Sequence, residues 1–159
     1  MIKKFYEETG MYIDWQQLNK LPEINTLIDI GVGSHGTEDL YDRFKNAKLI
    51  LIDPVDDAKK YAEQLSKKRE VKFFHNALGR EDDIEKEMKI QKDQGYSSFL
   101  DISKINMEDD WIEKRKLKIK KLDTIINDKQ SLGKIGIKID TEGYELDVIL
   151  GASETLKFT

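Results

Sequence analysis

Ile24-Asn-Thr-Leu-Ile-Asp-Ile-Gly-Val-Gly-Ser-His-Gly36 decides the fold. An apolar, β-branched run reads as a buried strand, and it stops at a glycine cluster. Gly31, Gly33 and Gly36 form a G-x-G-x-x-G turn, and Leu40, Tyr41, Phe44 and Ala47 then recur at helical spacing. Glycines suit a turn where a ligand approaches the backbone, because any Cβ would block it. The helix that follows offers free N–H groups and the positive end of its dipole to an anionic group.

Working outward, the same alternation repeats. Leu49-Ile-Leu-Ile52 is a second buried strand, ending at Asp53-Pro54. Ala58, Tyr61, Ala62 and Leu65 fall at i, i+3, i+4, i+7, an amphipathic helix stripe. Val71 to His75 gives a third strand, and Ile135, Ile137 and Ile139 a further core strand ending at Asp140. Successive β–α units predict an α/β domain whose sheet is mainly parallel, with helices on both faces. Tyr144 to Leu156 is expected as a helix with Ile149 and Leu150 inward. Arg80 to Asp101 fits neither period. Leu117 and Ile119 alternate with lysines, which reads as a half-exposed strand.

Composition sets the exclusions. The chain has 159 residues, no cysteine and two histidines, His35 and His75. Disulfides, thiolate metal sites and a thiol nucleophile are excluded, and no metal site is expected. A net charge of −4 gives no general attraction to nucleic acid or anionic membrane. No apolar run approaches the roughly 20 residues that span a bilayer, and the start lacks a signal peptide's apolar stretch. A cytoplasmic location is the expectation. The basic run Lys114 to Lys121 alternates as a solvated strand edge does and follows acidic residues 108 to 110, so nucleic acid is not an expected partner.

Two residues narrow the ligand of the glycine turn. Asp53 ends the second strand, where dinucleotide-binding folds place a carboxylate that accepts from both ribose hydroxyls. Asp29 stands two residues before the first glycine. A carboxylate there repels a pyrophosphate but suits an amino acid's ammonium, which favours S-adenosylmethionine over a nicotinamide cofactor. An aspartate in this place can equally bond the backbone of the turn.

Six segments then carry a resemblance: Leu27-Ile-Asp-Ile-Gly-Val-Gly33, Leu51-Ile-Asp-Pro54, Phe74-His-Asn-Ala-Leu-Gly79, Ser97-Ser98, Lys121-Leu-Asp-Thr124, and Ile137-Lys-Ile-Asp-Thr-Glu-Gly-Tyr-Glu145. In this order the series resembles the FkbM family of S-adenosylmethionine-dependent methyltransferases. The last segment, followed by Leu150-Gly-Ala152, is the most specific match. The resemblance covers about residues 25 to 157 and implies a Rossmann-like class I methyltransferase fold. It further implies that Asp29, Gly31, Val32, Gly33 and Gly36 surround the cofactor's methionine part. Asp53 and Pro54 then match the ribose-binding position, and Asn76 and Ala77 the segment beside adenine. Asp140 and Glu142 match carboxylates near the transferable methyl group. Gly33 departs from the family's usual loop, and Asp53 stands where the family more often has Glu.

Methyl transfer to a neutral hydroxyl needs alignment and proton removal. Asp140 and Glu142 are the candidate catalytic residues, with Asp140 favoured as an orienting group. Glu145 reads as a first-turn helix acid, and Lys138 as either a cavity residue or a snorkelling one. The expected acceptor is a hydroxyl on a sugar, glycan or small metabolite. The competing readings are a catalytically silent cofactor-binding module, or part of a larger assembly, and, more weakly, a nicotinamide-dependent oxidoreductase. The expected organisation is an N-terminal helical segment over 1–24 and a cofactor-binding domain over 25–159. Relative to the family, the domain is expected to lack its C-terminal strands, which leaves Ile135–Asp140 as a sheet edge that a homo-oligomer could cover.

Overall fold

The computed structural model describes residues 19–92, 96–100 and 111–159. Trp15, acidic residues 108–110 and most of the expected N-terminal helical segment lie outside them. Residues 19–24 of that segment are described and carry no helix, and Pro22 among them lacks the N–H a helix would use.

Strand β1 (Thr26–Ile30) is buried along its whole length. The chain then forms α1 (Glu38–Arg43), β2 (Lys48–Ile52), α2 (Asp56–Leu65) and β3 (Val71–Phe74), and later β7 (Ile135–Ile139). These strands make one parallel sheet in the order β3-β2-β1-β7. Side chains alternate between its faces. Leu27, Leu49 and Leu51 pack with Leu40, Tyr41 and Phe44 of the α1 region and with Ala58 and Ala62 of α2. Ile28, Ile30, Ile50 and Ile52 pack on the other face with Leu122, Val148 and Ala152. At about 1.5–3 kcal/mol for each fully buried aliphatic side chain, both faces stabilise the sheet. This two-sided burial explains why the strands read as continuous apolar runs. The chain moves outward from β1 to β3 and returns to β1's other side at β7. That reversal opens a crevice at the strands' carboxyl ends, the usual ligand position in such sheets.

A second sheet, β4-β6-β5, combines β4 (Ala77–Leu78), β5 (Glu85–Gln91) and β6 (Trp111–Lys120). Strands β5 and β6 are antiparallel, with Glu85 opposite Lys118 and Glu87 opposite Lys116. Their inward side buries Met88, Ile90 and Ile119, and their outward side is charged. The Arg80–Asp101 stretch that fits neither period therefore contains a strand, one that begins with three exposed charged residues, Glu85-Lys86-Glu87.

The closing helix is shorter than its pattern predicts. Helix α4 spans Glu145–Leu150, preceded by the four-residue α3 (Leu122–Ile125), and a 3₁₀ turn follows at Thr155–Phe158. Ile149 and Leu150 are exposed, while Tyr144, Val148, Ala152 and Thr155 face inward, which corrects the expected facing. Gly151 dictates this arrangement. A Cβ there would lie 2.0 Å from the Gly79 carbonyl oxygen, so the two backbones meet with no room for a side chain. Asp123 fixes the turn beyond it by accepting from the Glu154 and Thr155 amides at 2.9 and 2.7 Å.

Candidate functional site

The crevice holds about 500 Å³ of empty space, including the part open to solvent. Of the residues expected there, Gly31, Gly33, Asp53, Pro54, Asn76, Ala77, Asp140 and Glu142 line it. Asp29, Val32 and Gly36 do not. They belong to the loop's foundation, and each is held there for a separate reason.

Gly31 turns the chain at φ +80, a conformation that strains other residues, and an added Cβ would lie 1.7 Å from the Asp140 carbonyl oxygen. The glycine thus seals β1 against the end of β7. Val32 sends its side chain into the core, where it is 4% exposed. Its amide donates to Asp53 Oδ2 at 2.7 Å, and the Gly33 amide joins it at 3.0 Å. Gly36, also at positive φ, lies against the Tyr41 hydroxyl and the Tyr61 ring.

Asp53 is 5% exposed, and its other oxygen accepts from the Val55 amide at 2.8 Å. Three N–H donors converge on one carboxylate. Burial pushes its carboxyl above the usual value, and the amides of Gly33, Val55 and Val32 pull the other way. The shape of the glycine turn is therefore the first task of Asp53, which also borders the crevice.

Asp29 is 0% exposed and does not line the crevice. The parallel register places it directly opposite Lys138 on the same sheet face. Lys138 Nζ lies 3.1 Å from Asp29 Oδ1, donates to the Gly31 carbonyl at 2.8 Å, and reaches Asp140 Oδ2 at 3.5 Å. The Tyr41 hydroxyl donates to the other Asp29 oxygen. The ammonium beside Asp29 is thus the chain's own. Burial raises the Asp29 carboxyl, opposed chiefly by Lys138. Burial and the same carboxylate also push the Tyr41 phenol far up, so it stays a donor.

At the end of β7 the chain turns through Glu142, at φ +52, and Gly143, at φ +94. The strained Glu142 backbone is held by the Ser98 hydroxyl, which donates to its carbonyl at 2.8 Å. Burial raises the Glu142 carboxyl, and the charges of Asp140 and Glu145 add to the shift. Glu145 accepts from the Thr141 and Gly143 amides at 2.8 and 3.0 Å, the structural role its position predicts. Neither histidine lines the crevice. His35 is exposed beside Ser34, and His75 donates to the Pro54 carbonyl at 2.8 Å. Among the described residues, no group of three His, Asp or Glu side chains could hold a metal ion, and no helix is long and apolar enough to cross a membrane.

A family model described as the methyltransferase FkbM domain matches residues 29–159. The chain belongs to the FkbM methyltransferase family. No curated protein and no solved structure matches this FkbM chain. The match begins at Asp29 and includes every residue that lines the crevice. Two participants, Tyr41 and Ser98, do not follow from the FkbM segments. Lys138 reads as either a cavity or a snorkelling residue, and its partner depends on which strand lies beside β7. Tyr41 read as one residue of a helix stripe. Ser98 carried no role, although Ser97-Ser98 is one of the segments, since its target is 44 residues away.

Proposed function

We propose that this FkbM domain binds S-adenosylmethionine and transfers its methyl group to a hydroxyl of a small metabolite, sugar or glycan. One observation carries the cofactor. The crevice is lined by the carboxyl groups of Asp53, Asp140 and Glu142, and no Lys or Arg lines it among the described residues. Such a lining repels a dinucleotide's pyrophosphate and attracts a sulfonium cation. Gly33, which lines the crevice without a side chain, allows a nucleoside-linked amino acid to approach the backbone closely.

When bound, the sulfonium supplies an electrophilic methyl group. The chain's residues do the rest. The glycine turn, held by Asp53, positions the cofactor, and Asp140 orients it at the end of β7. Glu142 borders the same crevice with a raised carboxyl, which suits it to accept the proton of a neutral acceptor hydroxyl. Met88, Phe99 and Tyr144 give the crevice an apolar lining that would limit water at the reacting atoms. The acceptor class rests on the FkbM resemblance.

Calorimetric titration with S-adenosylhomocysteine and with NAD tests the reading. Saturable binding of the first alone is expected. Binding of NAD alone would end it.

A further inference from the structure

Lys138 is a charged residue in the middle of an apolar strand. Ile137 and Ile139 on either side face one side of the sheet, and Gly136 and Lys138 face the other. Its side chain borders an apolar groove lined by Leu27, Leu40 and Phe44, and its ammonium reaches Gly31 and Asp140, both lining residues of the crevice. Of its three oxygen neighbours, two are fixed. The Gly31 carbonyl is backbone, and Asp29 is fully buried. The third is loose, because Asp140 stands 3.5 Å away with its side chain 62% exposed.

Resting on the cofactor reading above, we propose that Lys138 and Asp140 form an exchangeable ion pair that recognises the zwitterionic amino-acid end of the cofactor. A ligand carboxylate takes the Lys138 proton donor now directed at Asp140, and Asp140 turns to the ligand's ammonium. The exchange conserves charge. One internal ion pair becomes two across the interface, so neither charge is left unmatched in the desolvated crevice. Lys138 supplies, from behind the lining, a cation that the charged groups of the lining, all carboxylates, do not provide. Asp29 keeps the ammonium in place throughout, which makes it a positioning residue acting through Lys138.

Two nucleosides separate this role from a structural one. S-adenosylhomocysteine carries the amino-acid end, and 5′-methylthioadenosine lacks both its ammonium and its carboxylate. Calorimetry on Lys138→Met is expected to show about a tenfold to hundredfold loss of affinity for S-adenosylhomocysteine, from one charge-assisted contact. Affinity for 5′-methylthioadenosine is expected to stay within about twofold of wild type. Equal losses for both ligands, or no loss for either, would overturn the proposal. Lys138→Met leaves buried Asp29 with hydroxyl partners, Tyr41 and Thr37, but no cation, so Asp29→Asn/Lys138→Met serves as the second variant. It removes the buried charge and should recover the thermal midpoint without recovering S-adenosylhomocysteine affinity. Recovery of both would mean that Lys138 only neutralises Asp29, and would sink the idea. Wild-type protein that binds neither nucleoside would overturn the cofactor reading and this inference with it. A selective loss in the variant upholds both.

Discussion

Asp53 and Asp140 end the two strands that flank β1, and they are built in opposite ways. Asp53 is 5% exposed and holds three backbone N–H groups at 2.7 to 3.0 Å. Asp140 has a side chain 62% exposed, and its closest charged neighbour is Lys138 at 3.5 Å. Sequence position alone would treat them alike, as strand-end carboxylates beside a glycine turn. Their partners separate the roles. A carboxylate whose lone pairs are filled by amides builds the site, and one left in solvent is free to meet a ligand.

The largest effect is expected where the two ends touch. Gly31→Ala would drive a Cβ to 1.7 Å from the Asp140 carbonyl oxygen at a backbone angle that strains alanine. Destabilisation of about 3 kcal/mol or more is expected in denaturant unfolding, with loss of S-adenosylhomocysteine binding. A variant that unfolds at the wild-type midpoint would show that β1 and β7 are not sealed at this point, and the contrast would lose its frame.

Asp53→Ala and Asp140→Ala test the contrast itself. The first strands three amides, two of them at the glycine turn, and should cost roughly 2–4 kcal/mol of stability. The second removes an exposed side chain and should cost under about 0.5 kcal/mol. Both should weaken S-adenosylhomocysteine binding, Asp53→Ala by loosening the loop and Asp140→Ala by removing a contact. Equal losses in paired unfolding curves would erase the distinction between builder and binder.

The sheet was legible in the sequence because burial on two faces writes continuous apolar runs, as in Leu27–Ile30 and Leu49–Ile52. The glycine turn was legible because φ above zero leaves few residues to choose from. Two regions were harder for identifiable reasons. Strand β5 places Glu and Lys outward and buries only Met88, Ile90 and Gln91 toward its end, so its period is masked by charge. Helix α4 was misfaced because Ile149 and Leu150 outrank Ala152 and Thr155 in hydrophobicity. Close backbone approach at Gly79 and Gly151 selects small residues for the interior instead. The site divided along the same line. Residues lining the crevice at strand ends followed from chain order, whereas Lys138, Tyr41 and Ser98 act across long separations that only register and topology define.

Asp123 gives the smallest expected effect on ligand binding and serves as the control for Asp53. It too is a carboxylate filled by N–H and O–H donors, but it fixes the turn after α4 and does not line the crevice. Burial raises its carboxyl, yet the Glu154 amide and the Thr155 hydroxyl and amide outweigh that and hold it below 3.8. A carboxyl lowered in the folded state contributes stability that is complete above the unfolded value and is lost as pH falls through the folded one. The acid limb of the stability curve below about pH 4 should therefore flatten in Asp123→Asn. That variant keeps the acceptor for Thr155 and loses the one for Glu154, so a cost of about 1 kcal/mol is expected near neutral pH. Its S-adenosylhomocysteine affinity should match wild type. If Asp123→Asn weakened binding as much as Asp53→Ala, the Asp53 effect would reflect general loosening of the domain, and its assignment to the glycine turn would fall.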